Sequence, residues 1–381
     1  MILSTRGRAA GPIGQPIIGR ITMAHVGADE RSEYVLVGGP DVVGEAEGYA
    51  AVLSEGSLDE PPLVPTVHSA RLGHLSAGDV VSIDSTGYVR TLYRRDSPHN
   101  WIFATDRCNS LCLMCSQPPR DVDESGIVER HLRLISLIDP LTKDLGISGG
   151  EPTLLGAGLI RIVRECRDRL PNTALHILSN GRLFEESAFA KALGDAAHPN
   201  LMVGIPIYSD IDAEHDYVVQ SEGAFKESIR GICNLGLNGV PVEIRVVIHR
   251  ATYQRLPQLA EFLYRNLTFA AQIVFMGLEI TGFTIPNLAS LWIDSADYQS
   301  QLRSATLFLA RRGVPVWIYN HQLCVLPKEL WSYSRRSISD WKNEFLPTCA
   351  KCIVQDRCGG FFASAVSRHR TSRGISPIFN D

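Results

Sequence analysis

Cys108, Cys112 and Cys115 place three thiols in eight residues, Cys108-Asn109-Ser110-Leu111-Cys112-Leu113-Met114-Cys115. Thiolates are the ligands that iron–sulfur clusters take, and gaps of three and then two residues suit one face of a cubane. Three ligands leave one iron without a protein donor, so a small molecule carrying an amine and a carboxylate can chelate it. Two plainer readings compete. A zinc knuckle needs a fourth ligand nearby, and no other Cys and no His lies between Trp101 and Glu129. Three core cysteines would be a chance cluster from a total of nine. A second set, Cys349, Cys352 and Cys358, is preceded by Cys324, with His321 able to stand in for it. Four thiolates complete a closed site, either a structural zinc or a second, fully ligated cluster.

Elements must position these residues. From Trp101 onward short apolar runs alternate with amphipathic segments, the pattern of repeated βα units. The strand candidates are Trp101 to Ala104, Asp144 to Ile147, Leu175 to Leu178, Leu201 to Ile207, Val242 to Ile248 and Ile273 to Leu278. Between them, Leu159, Ile162, Val163, Cys166 and Leu170 share one helical face, Phe225, Ile229, Ile232 and Cys233 a second, and Leu256, Leu259, Phe262 and Leu263 a third. Cys166 and Cys233 are therefore expected in the core, away from any metal. Sites in parallel βα folds gather at the carboxyl ends of the strands, where the first three cysteines fall. Residues 1–95 instead carry strand-like runs at Pro16 to Ile21, Tyr34 to Gly38, Val80 to Asp84 and Tyr88 to Tyr93, with Ser85-Thr86-Gly87 as a tight hairpin turn. A small β-rich domain is expected there, a structural cap or a module gripping a peptide or partner; His25 and His68 are isolated and suggest no metal chemistry.

Composition narrows the function classes. The 381 residues are 45% hydrophobic and 20% charged, ordinary for a globular protein, and the net charge of −4 gives no footprint for nucleic acid. No apolar run approaches a membrane span, and no apolar signal region follows the first charge. An odd number of cysteines in such a chain suits a reducing cytoplasm and metal ligation.

Further motifs stand at the ends of the expected strands. Ser148-Gly149-Gly150-Glu151-Pro152 ends the second: two glycines let the backbone approach a ligand, and Glu151 can fix the loop or add charge. The same residues also suit a plain strand-to-helix connection with Pro152 at helix N1. Ser179-Asn180-Gly181 ends the third and Tyr208-Ser209-Asp210 the fourth, both also common in turns and caps. Arg245 and His249 lie four apart on the fifth, either as a buried structural pair or with Arg245 on a carboxylate, and Glu279 ends the sixth.

CxxxCxxC followed by Gly-Gly-Glu-Pro resembles the radical S-adenosylmethionine (SAM) enzymes. That resemblance implies an α/β fold, a (β/α)6 partial barrel, with Cys108, Cys112 and Cys115 on a [4Fe–4S] cluster whose open iron binds SAM. It also implies Met114 near the adenine, the carbonyls of Gly149 to Pro152 on the SAM amino group, Asn180 in the site, Ser209 near the ribose and Arg245 on the carboxylate. One-electron reduction then yields methionine and a 5′-deoxyadenosyl radical that abstracts a substrate hydrogen. The C-terminal spacing resembles the SPASM and Twitch extensions; Phe362 stands where the seven-cysteine pattern has another cysteine, so one auxiliary cluster is implied, on Cys324, Cys349, Cys352 and Cys358. Cys108 to Pro119, Tyr319 to Pro327 and Cys349 to Phe362 resemble the radical SAM maturases of the His-Xaa-Ser repeat peptide system. Such an enzyme modifies a genetically encoded precursor peptide, with a partner radical SAM protein and a flavodoxin- or ferredoxin-type electron donor. The expected domains are 1–95, 96–318 and 319–381, and Tyr208, Glu279 and His321 are candidate acid–base groups. A cluster-bearing, non-catalytic partner subunit is the alternative; a tRNA-modifying enzyme fits the acidic balance less well.

Overall fold

Asp84 opens the Ser85-Thr86-Gly87 turn by accepting, through its carboxylate, the backbone N–H of Thr86 (2.8 Å) and Tyr88 (3.1 Å), while Gly87 takes φ 76°. The turn joins β7 (Val80–Ile83) to β8 (Tyr88–Tyr93) as an antiparallel pair. The computed structural model describes residues 3–11, 13–39, 46–56, 62 and 64–379; Met1 and Ile2, which open the stretch read for a signal segment, lie outside them. Six further strands complete the sheet: β1 (Ser4–Arg6), β2 (Arg8–Ala10), β3 (Ile17–Thr22), β4 (Tyr34–Gly38), β5 (Ala51–Ser54) and β6 (Thr66–His68), in the order β1-β8-β7-β3-β4-β5-β6-β2. Strands β1, β2, β5 and β6 had no sequence signal, because runs of three or four residues show too little alternation. The outermost strands β1 and β2 are separated by Gly7 alone, so the sheet curls until one short segment serves both edges. A Cβ on Gly7 would stand 2.2 Å from the His68 carbonyl oxygen, which is why that crossing takes glycine.

The second sheet is wholly parallel. Strands β9 (Asn100–Phe103), β10 (Asp144–Ser148), β11 (Ala174–Leu178), β12 (Leu201–Pro206), β13 (Val242–Val247) and β14 (Gln272–Met276) follow the six sequence candidates to within a residue or two. Two more are added, β15 (Val316–Tyr319) and β16 (Ser334–Arg335), giving the order β16-β15-β14-β13-β12-β11-β10-β9. Six expected units thus become eight strands, and the boundary expected at 318 runs through β15. Helices α1 (Ile127–Leu137), α2 (Ala157–Arg169), α3 (Ser187–Asp195), α4 (Asp212–Val219), α5 (Ala224–Leu237), α6 (Leu256–Asn266), α7 (Leu288–Leu291) and α8 (Gln299–Ala310) occupy the crossovers. Among the described residues β9 and β16 do not pair, so the parallel sheet is an open arc.

Helix α2 buries Leu159, Ile162, Val163 and Cys166 as its spacing predicts. On α5 the face is rotated: Ala224, Ser228, Gly231, Ile232 and Leu235 are buried, while Phe225, Ile229 and Cys233 flank them against the core. The reason is close approach, since a Cβ on Gly231 would meet the Gly181 carbonyl oxygen at 2.1 Å. The two sheets share one core, because Ile18, Val80 and Tyr93 of the first belong to the same cluster as Leu145 of the second and Ile135 and Leu137 of α1, which covers it. Arg20 fastens that junction by donating to the Leu137 carbonyl at 3.0 and 2.9 Å. A C-terminal segment carries β17 (Asn343–Glu344), β18 (Phe361–Phe362) and α9 (Ala363–Ser367). Among the described residues no helix is long and apolar enough to cross a membrane.

Candidate functional site

Beyond β9 the chain forms the cysteine loop, and Cys108, Cys112 and Cys115 line a chamber of about 720 Å³. Ser148, Leu178, Pro206, Val247 and Met276, at or next to the carboxyl ends of β10 to β14, line it too. The loop is held from several directions. Leu111 and Leu113 donate backbone N–H groups to Val219 (3.1 Å) and Val218 (2.9 Å) at the end of α4, and Phe283 donates to the Cys115 carbonyl at 2.8 Å. Gly282 takes φ 53° where a Cβ would meet that same oxygen at 2.3 Å. Glu124 accepts from the Thr105 hydroxyl and the Asp106 N–H, and pairs with Arg107 at 3.0 Å. Burial pulls the Glu124 pKa up, but these bonds outweigh it and hold the carboxyl below its ordinary value.

Gly149 and Gly150 serve the cysteine loop first. A Cβ on Gly149 would lie 2.6 Å from the Thr105 oxygen, and one on Gly150 only 2.1 Å from the Arg107 oxygen. That closeness lets Gly150 donate to Thr105 (2.7 Å) and Glu151 to Arg107 (2.8 Å). Both glycines also line the chamber, so their backbone is open to a ligand on the other side. Glu151 is 1% exposed, and its carboxylate accepts from the Thr153 N–H (3.0 Å) and hydroxyl (2.6 Å), the Ser179 hydroxyl (2.8 Å) and the Asn180 N–H (2.6 Å). Of the two roles read from the sequence, the loop-fixing one has the contacts: Glu151 ties the glycine loop to the end of β11. Burial raises its pKa against those donors. Pro152 is buried at the first position of a 3-10 turn and does not line the chamber.

Met114, Asn180, Tyr208, Arg245 and Glu279 line the same chamber. Asn180 donates its amide to the Asn109 side chain at 2.6 Å, so the cysteine loop and the β11 loop are stitched together beside the cysteines. Arg245 forms an ion pair with Glu243, two residues earlier on β13, which also accepts from Gln272. The structural reading of Arg245 thus has a partner, although its side chain still reaches the chamber. His249, expected on the same face, lies past the end of β13, fully buried against Tyr208 and outside the chamber lining. Ser209 is 1% exposed, donates to Glu214 at 2.7 Å and accepts from Ile211; it stabilises its own turn and does not reach the chamber. Glu279 pairs with Lys342 at 3.0 Å.

Sequence reading missed Asn109, Arg182, Glu124 and Gly282. Arg182 donates to the Asn109 carbonyl and to the Ser110 hydroxyl (3.1 Å), and pairs with Glu227. The Asn180-Gly181 turn just before it was the only local hint.

The three thiols fit an iron–sulfur cluster. Burial pushes Cys108 up to about 11 and Cys112 to about 12, and raises Cys115; repulsion between neighbouring thiolates adds to the shift at Cys108 and Cys112. As free side chains they keep their protons, so thiolate forms there with a cationic centre to compensate it. The second set also converges: Cys324, Cys349, Cys352 and Cys358 line one apolar cavity of about 20 Å³ with Phe345, Val354 and Phe361. His321 does not join them. Its Nε2 is 2.8 Å from the Tyr298 hydroxyl and its Nδ1 2.8 Å from the Tyr319 carbonyl, so both ring nitrogens are engaged and it cannot replace Cys324 as a ligand. Those same bonds bury it away from the chamber and leave it no acid–base role there. Among the described residues no group of three or more Cys, His, Asp or Glu side chains is arranged to hold a single metal ion.

Residues 102–263 match the Radical SAM superfamily model. The chain is similar to a GTP 3′,8-cyclase of Petrotoga mobilis, 28% identical over 166 residues that make up 41% of this chain and 48% of the relative. It therefore spans about half the length of the curated relative it matches. Among solved structures it is similar to SuiB of Streptococcus suis bound to S-adenosylmethionine (TM-score 0.47, 15% identical, covering 60% of this chain and 52% of that one). It is likewise similar to anSMEcpe with bound AdoMet and a Cp18Cys peptide (TM-score 0.44, 16% identical, 57% and 62% covered).

Proposed function

We propose that this chain is a radical SAM enzyme that modifies a peptide, by resemblance a ribosomally made precursor with His-Xaa-Ser repeats. One observation carries the radical SAM part: Cys108, Cys112 and Cys115 face the same chamber as the Gly149-Gly150 backbone and Asn180. Those cysteines would hold a [4Fe–4S] cluster, which would supply the electron for reductive cleavage of bound SAM. The chain's own residues do the positioning. Glu151, Asn180 and Arg182 hold the cysteine loop against β11, the glycine loop offers backbone to the methionyl end of SAM, and Met114 and Tyr208 give an apolar wall. Tyr208 stays neutral, because burial raises its phenol pKa well above the ordinary value.

We further propose that residues 1–95 form a substrate-side domain, that the catalytic domain runs from 96 through β15 and β16, past the expected limit of 318, and that Cys324 with the cysteines after that sheet, Cys349, Cys352 and Cys358, holds a second [4Fe–4S] cluster. Four thiolates complete a closed site, and the resemblance to the Twitch extensions favours a cluster there over zinc. A partner radical SAM protein and a flavodoxin- or ferredoxin-type donor complete the reading.

The test is 5′-deoxyadenosine formation by the anaerobically reconstituted, reduced protein given SAM, beside a variant with Cys108, Cys112 and Cys115 all changed to Ala. Product from the wild type alone is expected. Equal yields from both, or no product at full iron and sulfide occupancy, would reject the assignment.

A further inference from the structure

The charged side chains that line the chamber are almost all compensated. Arg94 pairs with Asp340 at 3.0 Å, Arg245 with Glu243, and Lys342 with Glu279 at 3.0 Å, while Glu151 has four donors. Arg90 is the exception. It lines the chamber from β8, it is exposed, and among the described residues its guanidinium has no ion pair and no hydrogen bond. Tyr88, 39% exposed, and Leu92 line the same wall at two-residue spacing along that strand. The wall therefore belongs to the first sheet, while the cysteines lie on the loop that follows β9 of the second.

From this geometry we infer that the outer face of β8 is the substrate-reading wall, with Arg90 binding one carboxylate of the peptide and Tyr88 packing beside it. The inference rests on the proposed peptide reading. A guanidinium left unpaired in a chamber where every other charge is compensated suits an anion supplied from outside, and its planar fork matches a carboxylate. A single free cation suits one carboxylate; the three phosphates of a nucleotide such as GTP carry more charge than it compensates. Trp101, Trp341 and Phe362, which also line the chamber, add the aromatic surface that a peptide chain packs on.

The experiment is anaerobic fluorescence anisotropy on the full-length, reconstituted protein with SAM. The probes are two labelled peptides of His-Xaa-Ser repeats, identical except for one Xaa that is Glu in one and Gln in the other. Wild type is expected to bind the Glu peptide about tenfold more tightly, the worth of one charge-assisted contact. Arg90→Gln should abolish that preference, Arg90→Lys should keep part of it, and Tyr88→Leu should weaken both peptides alike. Arg8→Gln, which removes an exposed charge of the same sheet outside the chamber, should change nothing. Thermal melts of each variant establish that it is folded. A preference that survives in folded Arg90→Gln, the absence of any preference in wild type, or GTP displacing the peptide through Arg90 would each overturn the inference. If wild type forms 5′-deoxyadenosine yet binds neither peptide, this inference falls and the radical SAM assignment stands; without 5′-deoxyadenosine, the assignment itself has failed.

Discussion

The two cysteine sites use one residue type for two kinds of space. Cys108, Cys112 and Cys115 come from a single loop and open onto about 720 Å³, whereas Cys324, Cys349, Cys352 and Cys358 come from two distant segments and enclose about 20 Å³. The first has one ligand fewer than a closed site and room for a molecule beside it. The second has four thiols, apolar walls and no such room. On the proposed reading, free volume and ligand count together, rather than the presence of cysteine, separate a site for chemistry from one that would hold a centre in place. The two also lie back to back, since consecutive residues of β18 face different ones: Phe361 lines the small cavity and Phe362 the large chamber.

The strongest way to break this comparison is to empty one site and inspect the other. The triple Cys108, Cys112, Cys115→Ala variant should lose SAM cleavage entirely and keep the iron of the second site, read by iron and sulfide analysis and electron paramagnetic resonance. Loss of both metals together would show one interdependent site, and zinc without iron would show that the second centre is not a cluster. The reciprocal Cys349→Ala, Cys352→Ala variant should keep the first cluster.

A smaller effect sharpens the contrast from the loop side. Gly150→Ala forces a methyl to 2.1 Å from the Arg107 oxygen, a backbone atom that cannot rotate away. We expect a cost of about 1–3 kcal/mol in stability and at least tenfold slower 5′-deoxyadenosine formation, with the second site's metal content unchanged. Wild-type rates in that variant would mean that the glycine loop does not position the cysteine loop.

The smallest effect concerns pH, and both regions share it. His215 and His249 pack around Tyr208 beside the chamber, and His321 lies between β15 and the second site, where a Cβ on Gly359 would meet its carbonyl at 2.5 Å. Burial lowers all three to about 4 from the ordinary 6.5. Between those values the unfolded chain binds protons that the native state refuses, so stability is complete above pH 6.5 and is lost as the pH falls toward 4. Burial lowers His176 to about 4 as well, so thermal melts across that window should fall steadily, and His321→Gln should flatten the slope by removing one of these four groups. An unchanged slope in that variant would show that His321 does not titrate this way.

How much was legible beforehand follows from the range of each interaction. The hairpin at Ser85-Thr86-Gly87, the six strands from β9 to β14 and the buried stripe of α2 are set by neighbours two to four residues apart, and periodicity reports those directly. The shorter β1, β2, β5, β6 and β16 are held by partners far along the chain, and two to four residues carry no period to read. Ser209 and His321 illustrate the same limit at the site. Their types suit ligand contact, but Glu214, Tyr298 and the Tyr319 carbonyl take up their polar atoms first.

Spacing along the chain dictates that three thiols share one loop, that a glycine pair follows the next strand and that parallel βα units carry both. Folding brings Cys324 to Cys349, Cys352 and Cys358, sets Glu151 against Ser179 and Asn180, and makes β8 of the first sheet a wall of the chamber with an uncompensated Arg90. Those meetings depend on sheet register and on the crossing of two sheets over one core. Side chains tens to hundreds of residues apart come together by closing the fold, and closure leaves no periodic mark in the sequence.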